Sequence, residues 1–264
     1  MIIFVSKTSN ALNRFPYNIE RITPYICLNP MYSSATTEFP CNVLMDSGAY
    51  QDESKRVSFQ QALDRQQAYE KKLGYKAKYI VAYDKIGDKE ETMKANRFLL
   101  SQPLTNQIGV LLVQGTTNSE YSDCLKEVLG VSKTNTFVLG FGGIAKAGVI
   151  NAVEDKLYLA VIDNCSSFEN IKHIHLFGCL TERIIRFFEH LFPDKTLSCD
   201  TAGIEIRSVM GNVFKDGKYT ATYTKAQKYV DYHPNVLAQD NIRRVLNYYN
   251  VPDPYRWGNI CAGV

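Results

Sequence analysis

Histidine and tryptophan are scarce in this chain, and its cysteines never come in close pairs. Of 264 residues, four are His and one is Trp. The seven cysteines stand at 27, 41, 124, 165, 179, 199 and 261, with no C-x-C or C-x-x-C spacing. A structural zinc site is therefore not expected, and an odd set of scattered thiols suits a reducing compartment, which makes the cytoplasm the expected location. No apolar run approaches the ~20 residues needed to cross a bilayer, so no membrane partner is expected. The first residues, MIIFVSKTSNALNR, read as a strand and not as a signal peptide. Low-complexity tracts and internal repeats are also missing. Charge of one sign is not in excess: the net charge is +3. Local basic clusters at Lys55-Arg56, Arg183 with Arg186, Lys225 with Lys228, and Arg243-Arg244 permit a polyanionic partner without requiring one.

What is present is an architectural rhythm. Short β-rich apolar runs occur at 2–5, 24–28, 42–45, 77–83, 108–113, 136–141, 173–177 and 196–199. From the third onward, segments of helical character separate most of them. One, SFQQALDRQQAYEKKLG, opens on Ser58 as an N-cap and closes on Gly74. DKEETMKANRFLL, SEYSDCLKEVLG ending in Gly130, and TERIIRFFEHLF begun by Thr181 are the others. Eight strands alternating with helices predict an α/β fold, an irregular (β/α)₈ TIM-type barrel occupying the whole of 1–264. Its first two connections, 6–23 and 29–41, lack clean helices. After the eighth strand, Asp216-Gly217 predicts a β-hairpin turn, and a C-terminal helical region follows from about 235 to 250. A doubly wound open sheet is the competing architecture.

In a (β/α)₈ barrel the chemistry sits at the C-terminal strand ends. Those positions hold Asp46 after the third run, Asp84 after the fourth and Gln114-Gly115 after the fifth. Gly142-Gly143 follows the sixth, Phe177-Gly178 closes the seventh, and Asp200 closes the eighth. Taken singly, a strand-end aspartate is more often a turn or helix cap than a catalyst, and a glycine there usually just permits a turn. Together, three carboxylates, an amide and two glycine turns would converge on one rim. They offer paired-carboxylate chemistry, with one group as nucleophile or base and the other as acid. Tyr50 and Phe177 could stack a flat ring between them. A different reading starts from His173 and His175, whose period-two spacing puts both rings on one face of a strand. With Asp200 they could form the site of a metal-dependent barrel hydrolase. The pair lies early in its strand, which places it away from the rim and favours packing.

Six segments, in order from about 43 to 217, are similar to motifs of one family. These are DSGAYQ, VAYDKI, LLVQGT, LGFGGIA, HLFGCLTERII and CDTAGIEIRSVMGNVFKDG. They resemble the queuine and archaeosine tRNA-guanine transglycosylases and their DNA-acting relatives. The resemblance implies a (β/α)₈ barrel that exchanges guanine in a nucleic acid for a 7-deazaguanine base, with no cofactor. By position, Asp200 would be the nucleophile at C1′ and Asp46 the general acid/base. Asp84 and Gln114 would bind the purine edge, and Gly142 and Gly143 would add backbone contacts. Tyr50 and Phe177 would sandwich the ring, with Ser47 and Gly178 completing the base-binding set. The C-terminal cysteine-rich zinc subdomain of the tRNA enzymes has no counterpart, and of the arginines in the last motif Arg207 remains to contact nucleic acid. These departures favour DNA over tRNA as substrate, with a free 7-deazaguanine of the preQ0 type as acceptor, as in the compact phage-type enzymes. A non-catalytic accessory subunit is the third alternative, although both aspartates are retained.

Overall fold

Runs of β-branched and aromatic residues buried on both faces suit strands of a parallel sheet covered by helices. The computed structural model describes residues 1–7, 19–31, 37, 40–49, 56–145, 151–201, 203–224, 227 and 233–251. In it the eight runs become β1 (Ile2–Ser6), β2 (Tyr25–Leu28), β3 (Asn42–Met45), β4 (Tyr79–Val81), β5 (Ile108–Val113), β6 (Val138–Phe141), β7 (His173–Leu176) and β8 (Thr196–Thr201). Each lies parallel to its sequence neighbour, and β8 returns to pair with β1, placing Phe4 opposite Asp200. The sheet is a closed barrel, which excludes the open doubly wound alternative. Asp200 stands one residue inside the end of its strand.

A set of ring contacts links β1, β2, β4 and β7. Phe4 on β1 meets Tyr25 and, across the barrel, Tyr79, both edge-on with centroids 5.6 Å apart. Tyr79 meets His173 at 5.5 Å, and His175 lies above, 5.8 Å from Phe4. Edge-to-face contacts of this kind add to what burial alone contributes.

Side-chain caps set the starts of several helices. Helix α1 (Phe59–Leu73) begins with a capping box between Ser58 and Gln61 and ends at left-handed Gly74. Asp88 caps α2 (Lys89–Leu100), and a Thr117–Glu120 capping box starts α3 (Asn118–Val131), which runs one residue past Gly130. Helices α4 (Asn151–Asn164) and α5 (Glu182–Leu191) flank β7. Beyond β8 come α6 (Gly203–Val209), the antiparallel hairpin β9 (Asn212–Lys215) and β10 (Lys218–Ala221), and α7 (Pro234–Tyr248). The hairpin turns at Asp216-Gly217, both with positive φ, as an Asp-Gly turn requires. Asn241 of α7 ties this appendage together: its amide donates to Ser208 Oγ and Asn212 O and accepts from Phe214 N.

No α-helix joins β1 to β2 or β2 to β3 among the described residues. A single 3₁₀ turn, Ile19–Arg21, stands there, and its Glu20 pairs with Lys7 at 2.7 Å with both side chains fully buried. Helices α4 and α6 were not expected from the sequence. In α4, Leu159 and Ile162 stay 48% and 53% exposed while Leu157, Ala160 and Val161 are buried, so apolar residues on both sides blur the helical period. No helix among the described residues is long and apolar enough to cross a membrane.

Candidate active site

The C-terminal strand ends gather the expected carboxylates. Asp46 follows β3 directly, and its backbone N–H continues the ladder by donating to Leu28 O. Its side chain is held at both oxygens: Asn29 Nδ2 donates to Oδ2 at 2.9 Å, and Ser47 N donates to Oδ1 at 2.8 Å. Asn29 is itself fixed by Met31 N, which donates to its Oδ1. Gly48 turns the chain here with φ +76, and a Cβ at that position would run into Met31, so the turn needs glycine on both counts. From behind, Gln66 of α1 reaches under the rim. Its buried Nε2 lies 3.0–3.2 Å from the carbonyls of Met45, Asp46 and Val81 and binds the ends of β3 and β4 together.

Burial pushes the Asp46 carboxyl up to about 7, and the neighbouring charge of Asp200 pushes the same way, against the Ser47 N–H. A carboxyl with that pKa exchanges protons readily at neutral pH.

Asp84 and Gln114 form a buried pair, with Gln114 Nε2 donating to Asp84 Oδ2 at 2.7 Å. Burial pushes Asp84 up to about 6, while the Gln114 hydrogen bond and the Arg56 charge oppose that shift. Arg56 also donates to Asp84 O at 3.0 Å and lies over the Tyr83 ring. The glycines after β6 make room for the amide. A Cβ on Gly142 would overlap Gln114 Nε2, and one on Gly143, which has φ +68, would stand 2.8 Å from Gln114 Oε1. Gly142 is engaged within the protein, donating to Val113 O and accepting from Tyr121 OH. What these two positions contribute is space for the Gln114 head group.

Asp200 is anchored through one oxygen. Gly178 N donates to Oδ1 at 2.7 Å, and His175 Nε2 stands 3.4 Å from the same atom. Oδ2 has a long contact from Ser6 Oγ, 3.5 Å. The position of His175 corrects the sequence reading, which set the pair away from the rim: only His173 lies a layer below. Both rings turn to Ser198 Oγ, at 2.8 Å from His175 Nδ1 and 2.7 Å from His173 Nε2. Among the described residues, no three His, Cys, Asp or Glu side chains are grouped to hold a metal ion.

No protein-family model and no curated protein matches the chain. Two rim carboxylates differ sharply in setting, one pinned through a single oxygen and one poised to exchange protons. Beside them, Phe177 is partly buried with its ring against His175 at 4.3 Å, and it occupies space left by Gly140. Ser47 Oγ accepts from Ala49 N and so braces the turn. Arg207 is exposed on α6, just beyond β8. Tyr50, expected as the second wall of a base pocket, lies outside the described residues. Asn29 and Gln66 are positioning groups that sequence reasoning did not assign to the site, and His175 entered it only in the metal-dependent alternative. An amide spaced one helical turn from buried neighbours, such as Gln66 beside Ala62 and Leu63, is the kind of signal that could have found one of them.

Proposed function

We propose that this protein exchanges guanine in DNA for a free 7-deazaguanine base through a covalent aspartyl–glycosyl intermediate. The observation that carries the reading is the meeting of two strand-end carboxylates at one rim, Asp46 held by Asn29 and Ser47 and Asp200 held by Gly178, with the charge of Asp200 opposing ionisation of Asp46. In the first displacement Asp200 Oδ2 attacks C1′ of the target nucleotide. The C1′–N9 bond breaks, and the Asp46 carboxyl supplies a proton to the departing guanine. In the second, the Asp46 carboxylate takes the N9 proton of the incoming base. That nitrogen attacks C1′, and the ester bond opens to regenerate Asp200. Two displacements replace one difficult substitution and retain configuration.

Asp84 and Gln114 offer an acceptor and an amide to the edge of a purine, and Phe177 offers a face for its ring. A carboxylate at a barrel rim reaches C1′ and the base only if the nucleotide leaves the helical stack. The resemblance of the six strand-end segments to guanine transglycosylases supports the same reaction. In the last of these segments Arg207 remains of the arginines in the tRNA enzymes' motif, which favours DNA over tRNA. Incubating the protein with guanine-containing DNA and denaturing the mixture tests the intermediate. A protein–DNA adduct that disappears when 7-cyano-7-deazaguanine is added is the expected result, and no adduct with either nucleic acid would count against it.

A further inference from the structure

The two histidines of β7 have no part in the reaction just described, yet His175 is buried beside its nucleophile and His173, half-buried, lies a layer below. His175 is fully buried, and Ser198 lies directly opposite it in the β7–β8 register. Ser198 Oγ sits between both imidazoles, at 2.8 Å and 2.7 Å, with Ile174 O as a longer acceptor at 3.3 Å. The other nitrogen of His175, Nε2, is buried and makes no hydrogen bond in this structure, although Asp200 Oδ1 faces it at 3.4 Å. Phe4 and Phe177 stand edge-on to the His175 ring at 5.8 and 4.3 Å, which keeps it from swinging away.

The hydrogens in this line can be counted. A neutral imidazole carries one N–H and a serine hydroxyl one O–H. Burial pushes His173 down to about 3, so its ring is neutral at physiological pH. If His175 holds its hydrogen on Nε2, Nδ1 must accept, and Ser198 is the donor beside it. The Ser198 oxygen is then free to accept from His173 Nε2–H. The two short contacts then each pair one hydrogen with one lone pair, and only the longer contact to Ile174 O goes without a hydrogen. The opposite polarity, in which Ser198 accepts from both rings and donates to Ile174 O, would set the lone pair of His175 Nε2 against those of Asp200 Oδ1.

We propose that His173, Ser198 and His175 form a polarised hydrogen-bond chain whose last N–H holds Asp200 Oδ1, leaving Oδ2 to attack. The inference rests on Asp200 being the nucleophile, and His175 acts through it as a positioning residue. Once the ester forms on Oδ2, Oδ1 becomes its carbonyl oxygen. The N–H groups of His175 and Gly178 then polarise that carbonyl and ease departure of the carboxylate in the second displacement.

Two glutamine-family variants separate the two ends of the ring. His175→Gln keeps a donor near Nε2, whereas His175→Asn keeps a partner for Ser198 but does not reach Asp200. Single-turnover adduct formation should slow about 10- to 100-fold in H175N, the range for losing a charge-assisted hydrogen bond. It should stay within about threefold of wild type in H175Q, with KM for the free base little changed in both. Equal rates in H175N and wild type, or equal damage in both variants, would overturn the proposal. Long-range ¹⁵N–¹H correlation spectra of the full chain read the tautomer without any turnover. His175 should appear as the Nε2–H form in wild type and as a mixture in Ser198→Ala. A Nδ1–H or doubly protonated His175 in wild type would overturn the chain. Failure of wild type to exchange any base would instead sink the transglycosylase reading, because the tautomer result stands independently of it.

Discussion

Gly178 donates its backbone N–H to Asp200 Oδ1 at 2.7 Å. A peptide group on the turn after β7 thus orients the carboxylate on β8, and the two strands lie side by side in the barrel. Because the donor is main chain, substitutions nearby can leave this anchor intact while the acid itself is changed. Asp200→Ala and Asp200→Asn should both abolish the covalent adduct, with exchange falling at least ~10³-fold as expected for loss of a nucleophile. Adduct yield on a denaturing gel is the measurement.

Asp46 links activity and stability to pH in one direction. Its pKa in the folded protein, about 7, lies above the ordinary 3.8. Between those values the folded state binds more protons than the unfolded state, so stability falls as pH rises across that interval. Asp84, at about 6, adds to the same slope. Asp46→Asn should flatten the fall and raise stability at pH 8 by ~1 kcal/mol, since it removes a charge held beside Asp200. The same change should leave nucleic-acid binding intact and slow turnover severely. Urea melts from pH 4 to 8 alongside exchange rates would show both effects.

Gln114 and the glycines opposite it act as one unit. Gly142→Ala forces the Gln114 amide off Asp84, so affinity for the free base should drop by ~1–3 kcal/mol, as it should in Gln114→Ala. The double variant should be little worse than either single one, because the two changes remove the same contact. Calorimetric titration with the free base measures this coupling.

Gln66 closes three carbonyls at the ends of β3 and β4. Gln66→Leu leaves them without their buried donor and should destabilise the fold by ~2–4 kcal/mol. Since Asp46 O is one of the three, the midpoint of the pH–activity curve should also move. Thermal melts and the pH profile together distinguish this from a merely structural effect.

The barrel was legible because its strands are continuous apolar runs and its helices carry local caps. Ser58, Asp88 and Thr117 each cap the helix that follows, and those signals need no tertiary context. Helix α4 escaped because Leu159 and Ile162 remain outside while its buried face is short. Of the site, Asp46, Asp84, Gln114 and Asp200 could be read as strand ends, since a barrel puts chemistry there whatever its sequence. The groups that orient them could not. Asn29 reaches Asp46 across 17 positions and His175 reaches Asp200 across 25, and only the parallel pairing of β2 with β3 and of β7 with β8 makes them neighbours. His175 looked remote because its place in the strand was visible, while the length of its side chain toward β8 was not.

The central claim concerns what becomes of guanine at the rim that holds Asp46 and Asp200. The most direct test follows labelled guanine in DNA and in tRNA, side by side, with 7-cyano- and 7-aminomethyl-7-deazaguanine as acceptors. Guanine released from DNA in step with uptake of the 7-deazaguanine, and lost in Asp200→Ala, is the predicted result. Release from neither nucleic acid, or full exchange by Asp200→Ala, would contradict it.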